Sequence, residues 1–332
     1  MLDLRRRHFL TLLGGAAAAW PPASQAQQPR HLRRVGILMP NPKGDAESQS
    51  YVRAFRQELA RLGWSESGNI QFDERWSTDN MDVVRADAAS LVELTPDVIL
   101  ISGDRVIPVV MKLTRSIPIV VAGTSDPIAS GAAESLARPG RNVTGFSVVE
   151  FSIFGKMLEI LKRMAPGISR VGMIYNPDNP VGATYLRWFE PSAGQIGVQP
   201  INLPIHDAAS IDRAIANMAE QPKGGILSPP DLTTNIHRTQ IVTVVARHRL
   251  PAIYTNPLFS EAGGLVTYGA DSLAMFRQSA GYVDRILRGE KAGELPFQQP
   301  ATYRLVINLK TAKALGLELP PTLLASADEV IE

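Results

Sequence analysis

The sequence predicts an α/β protein built from two similar open halves, and three observations lead to this prediction. From Arg34 onward, short runs rich in β-branched residues alternate with helical patterns, as in β-α-β units with a parallel sheet. The alternation starts again after residue 150, and the run at 170–175 repeats the form of the run at 35–39. The chain has 332 residues, 45% apolar and 20% charged, which is enough for two hydrophobic cores.

In the first half, the elements follow one another at short spacing. Val35–Met39 is a continuous apolar run, typical of a buried strand, and Pro40-Asn41-Pro42 ends it. Apolar residues recur at helical spacing between positions 51 and 62, and Gly63 ends that helix. The other elements predicted for this half are strands at 70–76, 97–101, 117–122 and 142–147 and a helix at 83–94.

The second half opens with a helix around 151–161 and a strand at 170–175, followed by the turn-rich segment 176–180. Further strands are predicted at 198–203, 225–227 and 252–254, with helices near 182–196, 208–219 and 233–247. The last segments, strands at 265–268 and 304–308 and a helix at 273–287, are too few for a third domain. We therefore predict an N-terminal lobe of residues 33–145 plus 269–300 and a C-terminal lobe of residues 146–268 plus 301–332.

The first 26 residues have the form of an export signal. Arg6 and Arg7 precede an apolar run from Phe9 to Trp20, and Ser24-Gln25-Ala26 places small residues where a signal peptidase cleaves. The apolar run is shorter than the roughly 20 residues that a membrane span needs, and the chain has no cysteine for lipid attachment. The sequence predicts a twin-arginine-type signal peptide, residues 1–26, cleaved after Ala26, and a mature periplasmic protein without direct membrane insertion.

Charge and motif content exclude several classes of function. Cleavage would remove three of the 34 basic residues and one of the 32 acidic residues, leaving 31 of each. A neutral balance without a basic stripe offers no surface for nucleic acid. The absence of cysteine excludes disulfides and thiolate chemistry. Since no Gly-x-Ser-x-Gly elbow, no P-loop and no histidine pair at metal-binding spacing occurs, we predict no catalytic residue, no metal and no cofactor.

Candidate ligand-binding residues follow the ends of the predicted strands. In open parallel sheets, ligands bind beyond the carboxyl ends of the strands, and two facing halves would present small hydrogen-bonding groups there. The candidates are Asn41, Ser102, Gly103, Asp104, Ser125 and Asp126 from the first half and Asn176, Ser228, Asp231, Tyr254 and Asn256 from the second. Such residues also serve turns and helix caps. Asp126 is thus either a ligand contact or a cap, and Tyr254 either a stacking surface or a core residue.

Several segments resemble those of one family. They are RRHFLTLLGGAAAAWP, VGILMP, AFRQELARLGW, TSDPIASG, RPGRNVTGFS, AIYTNPLFSEAGGLVTYG, YVDRILRGEKAGELPFQQP and the C-terminal LVINLKTAKALGLELPPTLLASADEVIE. Over nearly the whole chain they are similar to ABC-transporter substrate-binding proteins, in the subfamily with tryptophan- and phenylalanine-binding members. The resemblance implies a type I periplasmic-binding fold, in which three crossover strands join two Rossmann-like lobes. The crossovers would lie near 144–147, 265–269 and 303–306.

The resemblance also implies a function. A small polar or amino-acid-like solute would lie between the lobes, held by loops that contain Ser147 besides the candidates above. Hinge closure would present it to an ABC permease of the inner membrane and its ATPase. We expect a monomer. Where many members carry a small apolar loop, this chain has Ser102-Gly103-Asp104-Arg105, so a more polar or charged solute is weighed equally with an aromatic amino acid.

Two other functions stay open from the sequence. One is a diffusible ligand-sensing module for a membrane signalling receptor. The other is a periplasmic enzyme that uses Asp126 or Asp104 as a base, since burial raises the pKa of a carboxyl group.

Overall fold

The structure is a computed structural model that describes residues 32–78 and 80–332, and the predicted signal peptide lies outside the described residues. The strands are β1 (Arg33–Met39), β2 (Ile70–Trp76), β3 (Val98–Ile101), β4 (Ile119–Thr124), β5 (Val143–Ser147), β6 (Arg170–Tyr175), β7 (Gln199–Pro204), β8 (Gly224–Ser228), β9 (Ala252–Tyr254), β10 (Val266–Ala270), β11 (Tyr303–Asn308) and β12 (Glu329–Ile331). The helices are α1 (Ala46–Arg61), α2 (Met81–Glu93), α3 (Ile107–Leu113), α4 (Ile153–Met164), α5 (Gly182–Gln195), α6 (Ala208–Ala219), α7 (Leu232–Ile236), α8 (Arg238–Arg247), α9 (Leu258–Glu261), α10 (Ser272–Leu287), α11 (Leu309–Leu315) and α12 (Pro321–Leu324), with a short 3₁₀ helix at Ala292–Glu294.

The first sheet is parallel throughout, in the order β2-β1-β3-β4-β5. Side chains alternate between its faces: Val35 and Ile37 pack against α1 and α10, whereas Ile99 and Ile101 pack against α2 and α3. Both faces are covered, which explains why these strands are continuously apolar. This sheet and its four helices are called the first lobe below.

The second sheet has seven strands in the order β12-β11-β10-β9-β8-β6-β7. Helices α4 and α5 cover one of its faces, and α6 and α8 cover the other. We predicted parallel central sheets, but β10 and β11 are antiparallel, with Val266 opposite Ile307. The reason is that the chain leaves this sheet after β10 and re-enters it from the same end. This sheet and its helices are called the second lobe.

The chain passes between the lobes three times: after β5, between β10 and α10, and before β11. Two of these passages lie side by side, because the Ser147 amide donates to the Gln298 carbonyl at 2.8 Å and the Gln298 amide donates to the Gly145 carbonyl at 2.9 Å. After the second passage, α10 packs along α1 in the first lobe. The predicted α/β fold with two lobes and three crossovers is confirmed.

Several elements differ from the prediction in detail. The helix predicted at 233–247 is two helices, α7 and α8, which meet at His237. Helices α3, α9, α11 and α12 and strand β12 were not predicted, because each has seven residues or fewer and so carries little periodic signal. Within 32–78 and 80–332, no helix has both the length and the apolar character that crossing a membrane requires.

Candidate ligand-binding cleft

A cavity of about 130 Å³ lies between the two lobes. Its walls are the loops that follow β1, β3 and β4 in the first lobe and β6, β8 and β9 in the second, together with the beginnings of α1 and α10. This is the position that the geometry of open parallel sheets favours. One buried water needs roughly 10–15 Å³, so the cavity suits a small metabolite.

Seven of the twelve residues that we predicted as ligand contacts line this cavity. They are Asn41, Ser102, Gly103, Asp104, Ser125, Asp231 and Asn256. Gly103 adopts a φ of +92°, a conformation that side chains of other residues disfavour, and this lets the chain turn sharply between Ser102 and Asp104.

The other five predicted residues, Asp126, Ser147, Asn176, Ser228 and Tyr254, lie outside the lining. Asp126 Oδ1 accepts from the amides of residues 128 and 129, so this side chain caps a turn. The Ser147 hydroxyl donates to the residue 149 carbonyl, and Asn176 Nδ2 donates to the residue 233 hydroxyl, so both groups hold loops together. Tyr254 is fully buried and stacks on Phe259, with ring centroids 4.3 Å apart, as a core residue.

Asp104 organises the first-lobe side of the cleft. It is 6% exposed, and its Oδ1 accepts from the Thr124 hydroxyl at 2.5 Å and from the Ser125 amide at 2.8 Å. Burial raises the pKa of Asp104 to about 6, with a further contribution from repulsion by Asp231. These hydrogen bonds tie the loop after β3 to the loop after β4.

Asp231 has the same role in the second lobe. It is 3% exposed and caps α7, with Oδ1 accepting from the amides of Thr233 and Thr234 at 2.8 and 3.2 Å. Its Oδ2 accepts from the Asn176 amide at 3.2 Å and from Asn179 Nδ2 at 3.1 Å. Burial raises the pKa of Asp231, against the effect of these hydrogen bonds. Four donors thus converge on one carboxylate.

Side-chain contacts join the lobes across the cleft, among them a hydrogen bond from the Thr184 hydroxyl to Asp126 Oδ2 at 3.4 Å. Tyr185 in α5 is fully buried, and its hydroxyl hydrogen-bonds both to the Ser125 hydroxyl of the first lobe and to the Pro230 carbonyl of the second. Arg238 Nη2 lies 2.8 Å from Oδ2 of Asp45, the N-cap of α1. Burial alone would raise the pKa of Asp45, but hydrogen bonds from Ser48 and Arg238 lower it below the ordinary value. The lobes are therefore in a closed arrangement.

The polar residues that line the cleft and were not predicted include Glu47, Arg105, Asn235 and Arg238. Three of them lie in or beside the first turns of helices, whereas we considered only the residues that directly follow strands. A helix that follows a parallel strand begins at the same edge of the sheet, so its first turn also faces the ligand. The acidic residue Glu47 two positions after the N-cap Asp45 was the available signal.

Glu47 lies near an aromatic pair in the cleft. The Tyr51 hydroxyl donates to Glu47 Oε1 at 2.5 Å, and the Tyr51 ring stacks on Phe276 with centroids 5.1 Å apart. Burial raises the pKa of Glu47 to about 7, and the nearby carboxylates of Asp45 and Glu261 add to this, whereas Tyr51 and Arg238 oppose it.

Asn235 has an unsatisfied acceptor in the cleft. Its Oδ1 is buried and has no hydrogen-bond partner. A buried amide oxygen without a donor costs about 1–3 kcal/mol, and native proteins rarely tolerate such a loss without a functional reason. A ligand that brings an N–H or O–H group would satisfy it. Among the described residues, no group of three histidine, aspartate or glutamate side chains is arranged to hold a metal ion.

With this geometry in place, comparison with known proteins identifies the class. The profile of the family described as ABC transporter substrate binding protein matches residues 43–331. The match spans most of the chain, so the chain belongs to this family, as the sequence resemblance predicted.

Individual relatives have low sequence identity to this chain but align over most of its length. The chain is 23% identical over 289 residues to a tyrosine-binding protein of Clostridioides difficile strain R20291, covering 86% of this chain and 81% of that protein. A Streptococcus pneumonia ABC domain in complex with L-Trp superposes with a TM-score of 0.84 at 21% identity, covering 90% of this chain and 99% of that one. A ligand-free, open Clostridium difficile substrate-binding protein with adhesive properties gives 0.67 at 21% identity, over the same 90% and 99%. These structures show that the two-lobed fold is shared.

Proposed function

We propose that this protein is an extracytoplasmic receptor that captures a small amino-acid-like solute between its lobes and delivers it to an ABC importer. Family membership supports the role in solute binding. The relatives named for tyrosine binding and solved with L-Trp support a ligand of the amino-acid class.

The observation that carries the proposal is the polar cavity enclosed between two lobes that touch across it. Asp104 and Asp231 position one wall each, and the buried Asn235 Oδ1 has no donor. A solute that contacts both walls stabilises the closed state, because it gains all of its contacts only there. Binding energy is thereby converted into a hinge motion.

In this proposal the protein binds its solute and catalyses no reaction. The two carboxylates considered as bases have structural partners: Asp104 holds the loop after β4, and Asp126 caps a turn. We further propose a periplasmic monomer with the lobe bounds 33–145 plus 269–300 and 146–268 plus 301–332. Its partners would be an inner-membrane permease and the ATPase of that permease.

Native mass spectrometry of the protein, purified after export and without denaturation, tests the ligand class. We expect a stoichiometric amino acid, or, for an empty protein, saturable binding of an amino acid by calorimetry. A bound sugar, or no binding of any of the twenty amino acids, would contradict the proposed class.

Uptake of the radiolabelled ligand by cells with and without the gene tests delivery. We expect uptake to fall on deletion and to recover when the gene is restored. Unchanged uptake together with a lost transcriptional response to the ligand would instead establish the sensing role.

A further inference from the structure

Arg105 is a cation without a protein partner in the cleft. It follows Asp104 in the loop after β3 and lines the cavity. Within 32–78 and 80–332, its guanidinium has no ion pair or hydrogen bond, and Asp104 is already held by Thr124 and Ser125. A guanidinium presents a planar set of donors that matches a carboxylate.

Glu47 is an acidic side chain of the cleft that forms no ion pair with a lysine or arginine of the described residues. Its carboxyl group accepts from the Tyr51 hydroxyl, and no lysine or arginine of the described part lies within 4.0 Å of it. Arg238 lowers the pKa of Glu47 but is itself paired with Asp45. The other charges that act on Glu47 are the carboxylates of Asp45 and Glu261, so the protein supplies net repulsion there. An enclosed carboxylate with such neighbours is stabilised by a cation from outside.

We propose that Arg105 binds a carboxylate of the solute and Glu47 binds its protonated amine, so that the cleft selects solutes carrying both charges. This inference rests on the proposed function and adds the two residues that determine specificity. Arg238, another charged residue of the lining, forms an ion pair with Asp45 within the protein. Arg105 and Glu47 therefore remain as one positive and one negative group for the ligand. Uncharged sugars of similar size would leave both groups unpaired on closure and would be rejected.

Three ligands that differ in one charge each test the assignment. They are L-tyrosine, tyramine, which lacks the carboxylate, and 4-hydroxyphenylpropionate, which lacks the amine. L-tryptophan, tryptamine and indole-3-propionate form a second set. For the unmodified protein, we expect each truncated ligand to bind roughly 10- to 100-fold more weakly than its parent amino acid in calorimetry.

Two variants then assign each charge to a residue. In Arg105→Gln, the preference for the amino acid over the amine should shrink at least several-fold, while the preference over the acid remains. In Glu47→Gln, the preference over the acid should shrink and the preference over the amine should remain. The matched controls are Arg53→Gln and Glu58→Gln on the outer surface of α1, which should change neither ratio.

The outcomes separate the inference from the function on which it rests. If the unmodified protein binds amino acids but neither variant changes its own ratio, the assignment is wrong and the receptor function stands. If both variants lose affinity equally for all three ligands, their roles are structural and the assignment is again wrong. If the unmodified protein binds no amino acid, the proposed ligand class and the assignment fail together.

Discussion

At the scale of single residues, the role of each carboxyl group in the cleft follows from the contacts that it already makes. Asp231 receives four donors, Asp126 three and Asp104 two. Glu47 receives one, from Tyr51. The first three therefore hold loops in position, and Glu47 retains capacity for a ligand.

With Glu47 in the proposed role of binding the solute amine, its raised pKa predicts that solute binding depends on pH. Burial places this pKa at about 7, with Asp45 and Glu261 raising it and Tyr51 and Arg238 lowering it. An amine needs the ionised carboxylate, so protonation of Glu47 competes with binding below pH 7. We expect the affinity for L-tyrosine to fall several-fold between pH 7 and pH 5, measured by calorimetry.

Asp104, with a pKa raised to about 6, titrates in the same range and requires a control. Glu47→Gln should bind L-tyrosine more weakly at pH 7, and its affinity should lose most of the dependence on pH. Asp104→Asn should retain the share of the pH dependence that is due to Glu47. Equal pH profiles for the unmodified protein and Glu47→Gln would contradict the role of Glu47.

The site was predictable from the sequence only in part, and the reason is physical. The rule that ligands bind at strand ends located the loops around Ser102, Ser125 and Asp231. It could not separate a side chain that faces the cavity from one that faces the protein, such as Tyr254 or Asn176. That difference depends on the twist of the sheet and on the partner lobe, neither of which local sequence encodes.

At the scale of elements, helix caps connect the fold to the cleft. Asp231 caps α7 at the cleft, whereas Asp207 caps α6 on the outer surface, through a hydrogen bond from the Ser210 amide at 2.8 Å. The two caps have the same chemistry in different surroundings, so they form a matched pair for mutation.

Asp231→Ala should lower the free energy of unfolding by about 2–4 kcal/mol, because it leaves buried donors on Asn176 and Asn179 unpaired as well as removing a cap. Asp207→Ala should cost less than Asp231→Ala, because it removes only an exposed cap. Urea unfolding measures both. Solute affinity should fall at least tenfold in Asp231→Ala and stay unchanged in Asp207→Ala. Equal effects of the two substitutions would show that Asp231 acts only as a cap.

Close approach of β10 to the loop after β9 explains Gly269. A Cβ atom at Gly269 would lie 1.7 Å from the Thr255 carbonyl oxygen, beside Asn256 of the cleft. Gly269→Ala should therefore destabilise the protein by about 3 kcal/mol or more, since backbone must move. Gly281 in α10 has open space, so Gly281→Ala should stabilise the protein by about 0.5–1 kcal/mol. Urea unfolding of both variants checks these signs, and a stable Gly269→Ala variant would contradict the packing.

The longer strands and helices were predictable from the sequence, because the hydrophobic periodicity and the turn residues indicated the same bounds. The strands at 70–76, 170–175 and 252–254 and the helix at 208–219 have the predicted bounds. The antiparallel strand β11 could not be assigned a direction, because its pairing with β10 depends on where the chain returns from the first lobe. Long-range connectivity, and not local propensity, decides such a pairing.

At the scale of the whole molecule, closure depends on contacts that exist only when the lobes meet. The ion pair between Arg238 and Asp45 is such a contact, with side chains 24% and 9% exposed. Removing one partner of an enclosed pair leaves the other charge unpaired, which costs more than breaking a surface pair, whose contribution is about 0–1 kcal/mol. Each side chain remains in its own lobe when the cleft opens, so the pair couples solute binding to the hinge.

Arg238→Gln and Asp45→Asn should each weaken solute binding about 5- to 30-fold by removing this coupling. Asp45→Asn retains a side-chain oxygen to cap α1, which keeps the helix intact. Small-angle scattering should show a larger radius of gyration at subsaturating L-tyrosine, and the same compact value as the unmodified protein at saturation. The double variant should be no weaker than either single variant, because both remove one interaction.

The control for closure is Arg61→Gln, which breaks the exposed pair of Arg61 with Glu58 inside the first lobe and should change neither scattering nor affinity. Additive losses in the Asp45→Asn, Arg238→Gln double variant would show that the two side chains act separately. Unchanged affinity in both single variants would assign closure to the other contacts between the lobes, of which the hydrogen bond of Tyr185 with Ser125 is fully buried. Tyr185→Phe would then be the variant that opens the protein.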